Sequence, residues 1–300
     1  MRDLHHATVE RGIDHVVAAT LDLGLAADAW SRAGFRPTPL ARHPWGTENR
    51  LIQLAGSFVE ILAVGDGAAI PEPTASAFSF GAYNRDFLAA HGDGLSMLVL
   101  ESKDAAADRA AFAAAGLRTF DPFAFERIAV SPEGEERQVG FDLTFTGFAG
   151  ATGEPDMGFF TCRQRFPENF WRAEYREHPN TAVALAAVVL VAPDPSAFHQ
   201  GLSAFAGVRE LTATSFGLEI ATPRGRIEVL TPAAYRWRHG AEALAEDPTT
   251  LVFKGLRFAV ADLGVAAATV VAGGFAVTDH ADGFVVADLG GASLAFEPAR

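Results

Sequence analysis

Short apolar segments recur four times along the chain, and each is followed by an aspartate and then by an alanine-rich segment. The apolar segments are 13–20, 95–101, 185–192 and 256–261, and the aspartates after them are Asp22, Asp104, Asp194 and Asp262. A glycine ends each unit, at Gly34, Gly116, Gly207 and Gly274, which lies 12 or 13 residues after the aspartate. Short apolar runs are typical of buried β-strands, and Asp and Gly are preferred at the two ends of helices. Each unit therefore predicts a strand followed by a helix of about three turns.

Further segments with strand character follow each glycine. They are 49–54 and 57–64, then 137–146 and 157–162, then 215–222 and 226–230, and finally 283–288 and 292–296. Each unit thus predicts a βαβββ module, and the spacing of 67 to 91 residues between the glycines is too long for a solenoid repeat. Two such modules side by side would form a cupped eight-stranded sheet with helices outside.

We therefore expect an α+β protein of four βαβββ modules paired into two pseudo-barrels. The predicted domains are 12–164, with modules one and two, and 182–300, with modules three and four. The segment 165–181, which contains Pro167, Trp171 and Pro179, is the predicted connector, and a second loose segment is expected at 235–248.

Composition narrows the class of protein. With 24 Lys and Arg against 37 Asp and Glu, the net charge of −13 disfavours nucleic acid and anionic membrane surfaces as partners. Hydrophobic residues make up 49% of the chain, and no apolar run approaches the ~18 residues that span a bilayer. The one cysteine, Cys162, excludes an intrachain disulfide, and the N-terminus lacks the apolar region of a signal peptide. We expect a cytoplasmic protein, in which His5 and His6 belong to a frayed terminus rather than to a metal site.

Several well-known chemical motifs are missing from the sequence. It contains no Gly-x-Gly-x-x-Gly after a strand, no Gly-Lys-Ser/Thr phosphate loop, no Gly-x-Ser-x-Gly and no Cys-x-x-Cys. We therefore predict no nucleotide cofactor, no hydrolase nucleophile elbow and no zinc ribbon. Cys162 is interpreted as a buried packing residue rather than a nucleophile.

The first module resembles the vicinal oxygen chelate superfamily, the group of glyoxalases, extradiol dioxygenases and bleomycin-resistance proteins. The resemblance rests on residues 12–17, 22–23, 33–35, 43–50 and 58–62, and the run 162–171 with 178–180 is similar to a signature that some members carry after module two. It implies paired modules in pseudo-barrels of the kind found in that superfamily. It also implies a divalent metal in the cup, bound by His and Glu from first and fourth strands, that chelates vicinal oxygens of a substrate.

Under this resemblance, His15 occupies the first-strand ligand position of module one and Glu60 the fourth-strand position. The other modules depart from the pattern: module two offers Met97 and no carboxylate in 157–162, module three offers Ala187 and Glu228, and module four offers Gly255 and about Leu294. If the protein binds a metal, we therefore expect it in the first cup and not in the second. Fe, Mn, Ni or Zn held by His15 and Glu60 would need further ligands, for which His43, Cys162, Gln164 and His178 are candidates.

The sequence leaves several functions open. His15 and Glu60 bind a metal or, without one, contact a ligand directly or exchange protons with it. His43, Asn49 and Gln164 are the predicted substrate-binding residues. The leading interpretation is a lyase, isomerase, epimerase or dioxygenase that acts on a small oxygen-rich organic molecule. The alternatives are a metal-free protein that binds or sequesters a small molecule, as bleomycin-resistance proteins do, and a scaffold with vestigial cups; monomer and homodimer are both expected states.

Overall fold

The structure is a computed structural model that describes residues 9–130, 136–280 and 283–299. His5 and His6 lie outside the described residues. Module one comprises β1 (Ile13–Ala19), α1 (Leu23–Arg32), β2 (Ala41–Arg42), β3 (Thr47–Gln53) and β4 (Phe58–Val64). After α2 (Phe80–His91), module two comprises β5 (Gly94–Glu101), α3 (Ala105–Ala114), β6 (Arg118–Thr119), β7 (Phe123–Val130), β8 (Glu136–Gly147) and β9 (Gly158–Gln164).

The second half repeats this order after the short helix α4 (Pro167–Phe170). Module three comprises β10 (Ala182–Val191), α5 (His199–Ala206), β11 (Thr212–Thr214), β12 (Gly217–Ala221) and β13 (Arg226–Leu230), followed by α6 (Pro232–His239). Module four comprises β14 (Val252–Val260), α7 (Leu263–Ala272), β15 (Thr278–His280), β16 (Gly283–Leu289) and β17 (Ala292–Pro298).

The strands form two mixed sheets, one for each pair of modules. The first has the order β2-β3-β4-β1-β5-β9-β8-β6, with β7 paired to β8, and the second has the order β11-β12-β13-β10-β14-β17-β16-β15. In every module the first strand pairs in parallel with the last, and the two first strands of a pair run antiparallel at the centre. The predicted α+β fold of four modules in two cups is confirmed. Module two has one strand more than the predicted βαβββ pattern, and this additional strand is β7.

Local capping explains why the four modules fold alike. Asp22, Asp104 and Asp262 accept hydrogen bonds from backbone N–H groups of the first turns of α1, α3 and α7, and Asp194 does so for the 3₁₀ turn before α5. The four terminal glycines at 34, 116, 207 and 274 have φ of +85°, +77°, +70° and +88°. Glycine adopts these left-handed conformations without the steric cost that a Cβ would impose, so both predicted helix ends are confirmed.

The loose segment predicted at 235–248 is partly wrong. Its first residues belong to α6, which Thr231 caps at its N-terminus and which begins with Pro232. Helix α6 follows the last strand of module three just as α2 follows the last strand of module one.

The connector 165–181 contains α4 and packs against module one, where His178 Nε2 lies 2.8 Å from the carbonyl oxygen of Gln53.

Hydrophobic packing joins the two halves. One core cluster contains buried residues of all four modules, and in it Trp30 and Phe35 of module one contact Phe258 of module four. Because this core is shared by both halves, the division into separate domains at 12–164 and 182–300 stays a prediction. Among the described residues, no helix combines the length and the apolar character needed to span a membrane.

Candidate functional site

The first sheet curves around a cup with a cavity of about 50 Å³. Seven of the fifteen residues that line it carry Trp or Phe rings, and they are Trp45, Phe58, Phe80, Phe125, Phe141, Phe160 and Phe170. Polar groups occur at a few points of this wall, and they belong to His15, His43, Asn49, Glu60, Arg127 and Cys162. An apolar cavity with a few convergent polar groups is typical of a small-molecule site.

His15 and Glu60 lie on neighbouring parallel strands. In the register of β1 and β4, His15 pairs with Phe58 and Val17 with Glu60, so the two polar side chains are one pleat apart on the same face. His15 Nε2 is 3.9 Å from Glu60 Oε2, and both residues are only 5% exposed. The imidazole stacks on the ring of Phe58 with centroids 4.2 Å apart, which fixes its plane.

A second imidazole approaches Glu60 from the loop before β3. His43 Nε2 is 4.0 Å from Glu60 Oε1, and His43 Nδ1 is 2.9 Å from the hydroxyl of Thr47. The ring stacks on Trp45 at 4.6 Å. Burial, together with the nearby positive charge of Arg127, lowers the pKa of His43 to about 3. His43 is therefore neutral at physiological pH, with Nε2 facing the carboxylate.

Asn49 is the direct hydrogen-bond partner of Glu60. Its Nδ2 donates to Glu60 Oε1 at 2.5 Å, across the antiparallel pair of β3 and β4. Burial raises the pKa of Glu60, while the charge of His15, the hydrogen bond from Asn49 and the charge of Arg127 oppose that rise. Within the described residues, Asn49 Oδ1 has no hydrogen-bond partner, so the amide still has an acceptor available for a ligand.

Asp14 contacts the imidazole of His15, and the sequence analysis did not include Asp14 among the site residues. Its Oδ1 lies 2.6 Å from His15 Nδ1, and its Oδ2 accepts a hydrogen bond of 3.2 Å from Gln164 Nε2. Adjacent residues of a regular strand point to opposite faces, but the pairing of β1 with β5 shifts register between Ile13 and His15. This bulge lets Asp14 contact its neighbour, and no alternation pattern in the sequence indicates it.

Arg127 and Phe125 reach the cup from β7, the strand that the βαβββ pattern did not predict. Their spacing of two residues places them on one face of the strand. In the described part of the chain, Arg127 Nε is buried without a hydrogen-bond partner. Burial lowers the pKa of this guanidinium, and the charge of Glu60 opposes that fall. A period-2 pattern over 123–127 was the only signal for this strand.

The remaining predicted residues are divided between the cup and its surroundings. Cys162 lines the cup, and burial raises its pKa well above the usual value, so it is a neutral thiol. Among the described residues, the atoms of Asp14, His15 and Cys162 form the one group of three metal-ligating types within 4.8 Å of one another. Gln164 contacts the site through Asp14. His178 lies outside the cup, since its ring nitrogens bind the backbone of Gln53 and Arg36.

The strand registers show which residues of modules two, three and four stand at the positions that His15 and Glu60 occupy in module one. Met97 pairs with Gly158 and Val99 with Phe160, so Met97 and Phe160 stand where module one has His15 and Glu60. In module four, Gly255 pairs with Ser293 and Arg257 with Ala295, so the fourth-strand position is Ala295 and not Leu294. In module three, Ala187 pairs with Arg226 and Val189 with Glu228, as predicted.

Comparison with known proteins identifies the family. A family model described as "Glyoxalase-like domain" matches residues 13–206, more than half of the chain. The chain belongs to the glyoxalase-like domain family. The glyoxalase-like match begins at the first residue of β1 and ends at the last residue of α5, so it includes every residue of the aromatic cup. No curated protein matches the chain.

Solved structures share the fold at low sequence identity. A hypothetical protein from Staphylococcus aureus has a TM-score of 0.67 and 11% identity, over 96% of this chain and 100% of that one. A mutant of 4-hydroxymandelate synthase from Streptomyces coelicolor has a TM-score of 0.52 and 12% identity, over 90% and 77%. A fusion of a xylose isomerase-like TIM barrel and 4-hydroxyphenylpyruvate dioxygenase has a TM-score of 0.51 and 14% identity, over 90% and 40%. Together with the family match, these structures confirm the vicinal oxygen chelate fold.

Proposed function

We propose that the protein is an enzyme that acts on a small, oxygen-bearing organic molecule in the aromatic cup, with a divalent cation held by His15 and Glu60. One observation carries this proposal. His15 Nε2 faces the buried carboxylate of Glu60 at 3.9 Å, a distance too long for a hydrogen bond. Ligands on one cation are separated in this way, because each lies about 2.0–2.2 Å from the ion.

The residues present fit such a cation. The contact of His15 Nδ1 with Asp14 leaves Nε2 directed at Glu60, which is the arrangement by which a carboxylate orients a metal-binding histidine. His43 is not a third ligand of that cation, because among the described residues His15, Glu60 and His43 do not form a group of ligating atoms within 4.8 Å of one another. Imidazole and carboxylate donors suit Zn, Fe, Mn or Ni. The alternative group of Asp14, His15 and Cys162 is less suitable, since both carboxylate oxygens of Asp14 are already engaged, one by His15 and the other by Gln164.

The chain's own groups define what the cup does for a substrate. When bound, the cation would polarise a carbonyl or stabilise an enolate. The aromatic wall excludes water and packs against the carbon skeleton, while Arg127 and Asn49 offer a donor and an acceptor to substrate oxygens.

A metal-free binding protein is the second candidate. The register of β5 and β9 favours this candidate, because it places Met97 and Phe160 at the two ligand positions of module two. Two of the four ligand positions around the cup are therefore apolar. In this case the cup sequesters an apolar or aromatic compound, and Glu60, His15 and Asn49 bind its polar group directly.

Elemental analysis of the dialysed wild-type protein, followed by turnover assays with and without chelator, tests the first candidate. We expect about one divalent metal ion per chain and loss of turnover when the metal is removed. Protein that contains no metal and takes up none of the added Zn, Fe, Mn or Ni salts would overturn the metalloenzyme proposal. Stoichiometric ligand binding without product would then support the sequestering protein.

The Asp14→Asn variant tests how the histidine is oriented. An amide cannot stabilise the ligand as a carboxylate does, so we expect the metal affinity to fall about 10–100-fold while the cup keeps its shape. Competition with a chromophoric chelator measures this affinity. Gln164→Ala is the matched control, because it removes a partner of Asp14 but leaves the contact between Asp14 and His15; an equal loss in both variants would contradict the assigned role.

A further inference from the structure

Arg127 is a cation in the wall of the aromatic cup that the chain leaves unpaired. In the described part of the chain its Nε is buried without a hydrogen-bond partner, and no carboxylate forms a salt bridge with its guanidinium. Glu126, the preceding residue of β7, lies on the opposite face of the strand and accepts a hydrogen bond from Arg165 Nη1 at 2.6 Å. Arg127 therefore has N–H donors for an acceptor that a ligand must supply.

This guanidinium belongs to a side chain between two cavities. Arg127 is half-buried, and together with Leu51 and Phe170 it lines both the cup and a neighbouring cavity of about 380 Å³. The cup itself measures about 50 Å³, on a scale where one water molecule takes about 10–15 Å³. The cup therefore has room for a group of about four non-hydrogen atoms, and the neighbouring cavity has room for the rest of a larger molecule.

The other arginines of the neighbouring cavity do not add a free cation. They are Arg42, Arg137 and Arg172. Arg42 and Arg172 form salt bridges with acidic neighbours at 3.4 and 3.1 Å, and Arg137 also has a partner. The chain as a whole carries a net charge of −13, which repels anions at long range. Selection of an anionic ligand at this place must therefore come from Arg127.

The charges around the cup favour a ligand with a single negative charge. The two carboxylates of the site are Glu60 and Asp14, and a neutral His15 would bind the proposed cation. His43 is also neutral, so the divalent cation and Arg127 together exceed the two carboxylates by one charge. A monoanion neutralises this excess. A dianion such as phosphate would instead place surplus negative charge beside two buried carboxylates.

We propose that the substrate of the cup is a small monocarboxylic acid, whose carboxylate binds to Arg127 between the two cavities while its oxygen-bearing group lies in the cup. This inference rests on the proposed function for the place of the reaction and goes beyond it in naming the substrate class. A planar carboxylate can accept two parallel hydrogen bonds from one guanidinium, which makes arginine selective for this group.

Isothermal titration of the whole protein with matched pairs of acids and amides tests the substrate class. The probes are glycolate and 3-hydroxypropanoate, each compared with its primary amide, which has the same shape and no charge. In the pair whose length fits, we expect the acid to bind at least about tenfold more tightly than the amide, because only the acid forms charge-assisted hydrogen bonds. Equal affinity within both pairs, or no binding of either acid at millimolar concentration, would overturn the proposal. Tighter binding of inorganic phosphate than of both acids would overturn the choice of a carboxylate.

Variants of Arg127 locate the carboxylate. Arg127→Met keeps an unbranched side chain and removes the charge, so the preference for acid over amide should vanish, whereas Arg127→Lys should keep part of it. Arg163→Met is the matched control, because it removes an arginine that does not line the cup, and it should keep the wild-type preference. A preference that persists in Arg127→Met would show that the carboxylate binds elsewhere and would overturn the role of Arg127.

Metal content separates failure of this inference from failure of the proposed function. Arg127→Met should retain at least the wild-type metal content, because the charge of Arg127 repels a cation in the cup. A metal-containing wild-type protein that binds acid and amide equally would overturn this inference alone. A metal-free wild-type protein would overturn the metalloenzyme, and a preference for acids that depends on Arg127 would still support the carboxylate site in it.

Discussion

The Glu60→Gln variant should keep its fold and lose most of its divalent metal, to below about a tenth of the wild-type content. The amide of glutamine has the shape of the carboxyl group but no negative charge, and its oxygen is a weaker ligand for a divalent cation. Folding is not compromised, because burial of the Glu60 carboxylate is unfavourable and the amide relieves that cost. Elemental analysis after dialysis measures the metal content, and circular dichroism checks the fold.

Two control variants make the result specific to the cup. Glu228→Gln changes the carboxylate at the equivalent position of module three, and His199→Ala removes a half-buried imidazole at the start of α5. Both should retain the wild-type metal content, whereas His15→Ala should lose it as Glu60→Gln does. Full metal content in Glu60→Gln, or equal loss in Glu228→Gln, would place the metal elsewhere.

The modular architecture was predictable because its signals are local. An aspartate that caps a first turn and a glycine in a left-handed conformation act within one helix, so four copies of the pattern could be recognised in the sequence. Helix α6 carries signals of the same kind in Thr231, Pro232 and Gly240, although the sequence analysis expected a loose segment from residue 235 onwards. Strand β7 was harder to recognise, because its stability depends on pairing with β8.

The candidate site was only partly predictable, because its geometry depends on contacts between distant segments. His15 and Glu60 follow from the resemblance to the vicinal oxygen chelate superfamily, and the structure places them together. Asp14 depends on a bulge in the pairing with β5, and Arg127 depends on β7, which folds back on β8. Neither a bulge nor a long-range strand pairing leaves a distinct mark in a single sequence.

Replacing Asp108 by Ala should lower the free energy of unfolding by about 3–5 kcal/mol. Asp108 lies on α3 and is 3% exposed, and its Oδ1 accepts from Nε and Nη2 of Arg11 at 2.9 and 2.7 Å. Thr161 of β9 donates to Oδ2 at 2.9 Å, and Arg11 Nη1 donates to the carbonyl oxygen of Phe205 on α5 at 3.1 Å. The pair thus joins three modules, and its removal leaves a buried guanidinium without its counter-charge.

A double variant distinguishes loss of the pair from loss of packing. Arg11→Met combined with Asp108→Leu removes both charges and keeps apolar volume, so we expect it to recover most of the stability lost in Asp108→Ala. Glu72→Gln, in the exposed pair with Arg85, is the control and should hardly shift the unfolding curve. Urea unfolding followed by circular dichroism measures all three variants. If Asp108→Ala shifted the curve no more than Glu72→Gln does, the buried pair would not be what holds the three modules together.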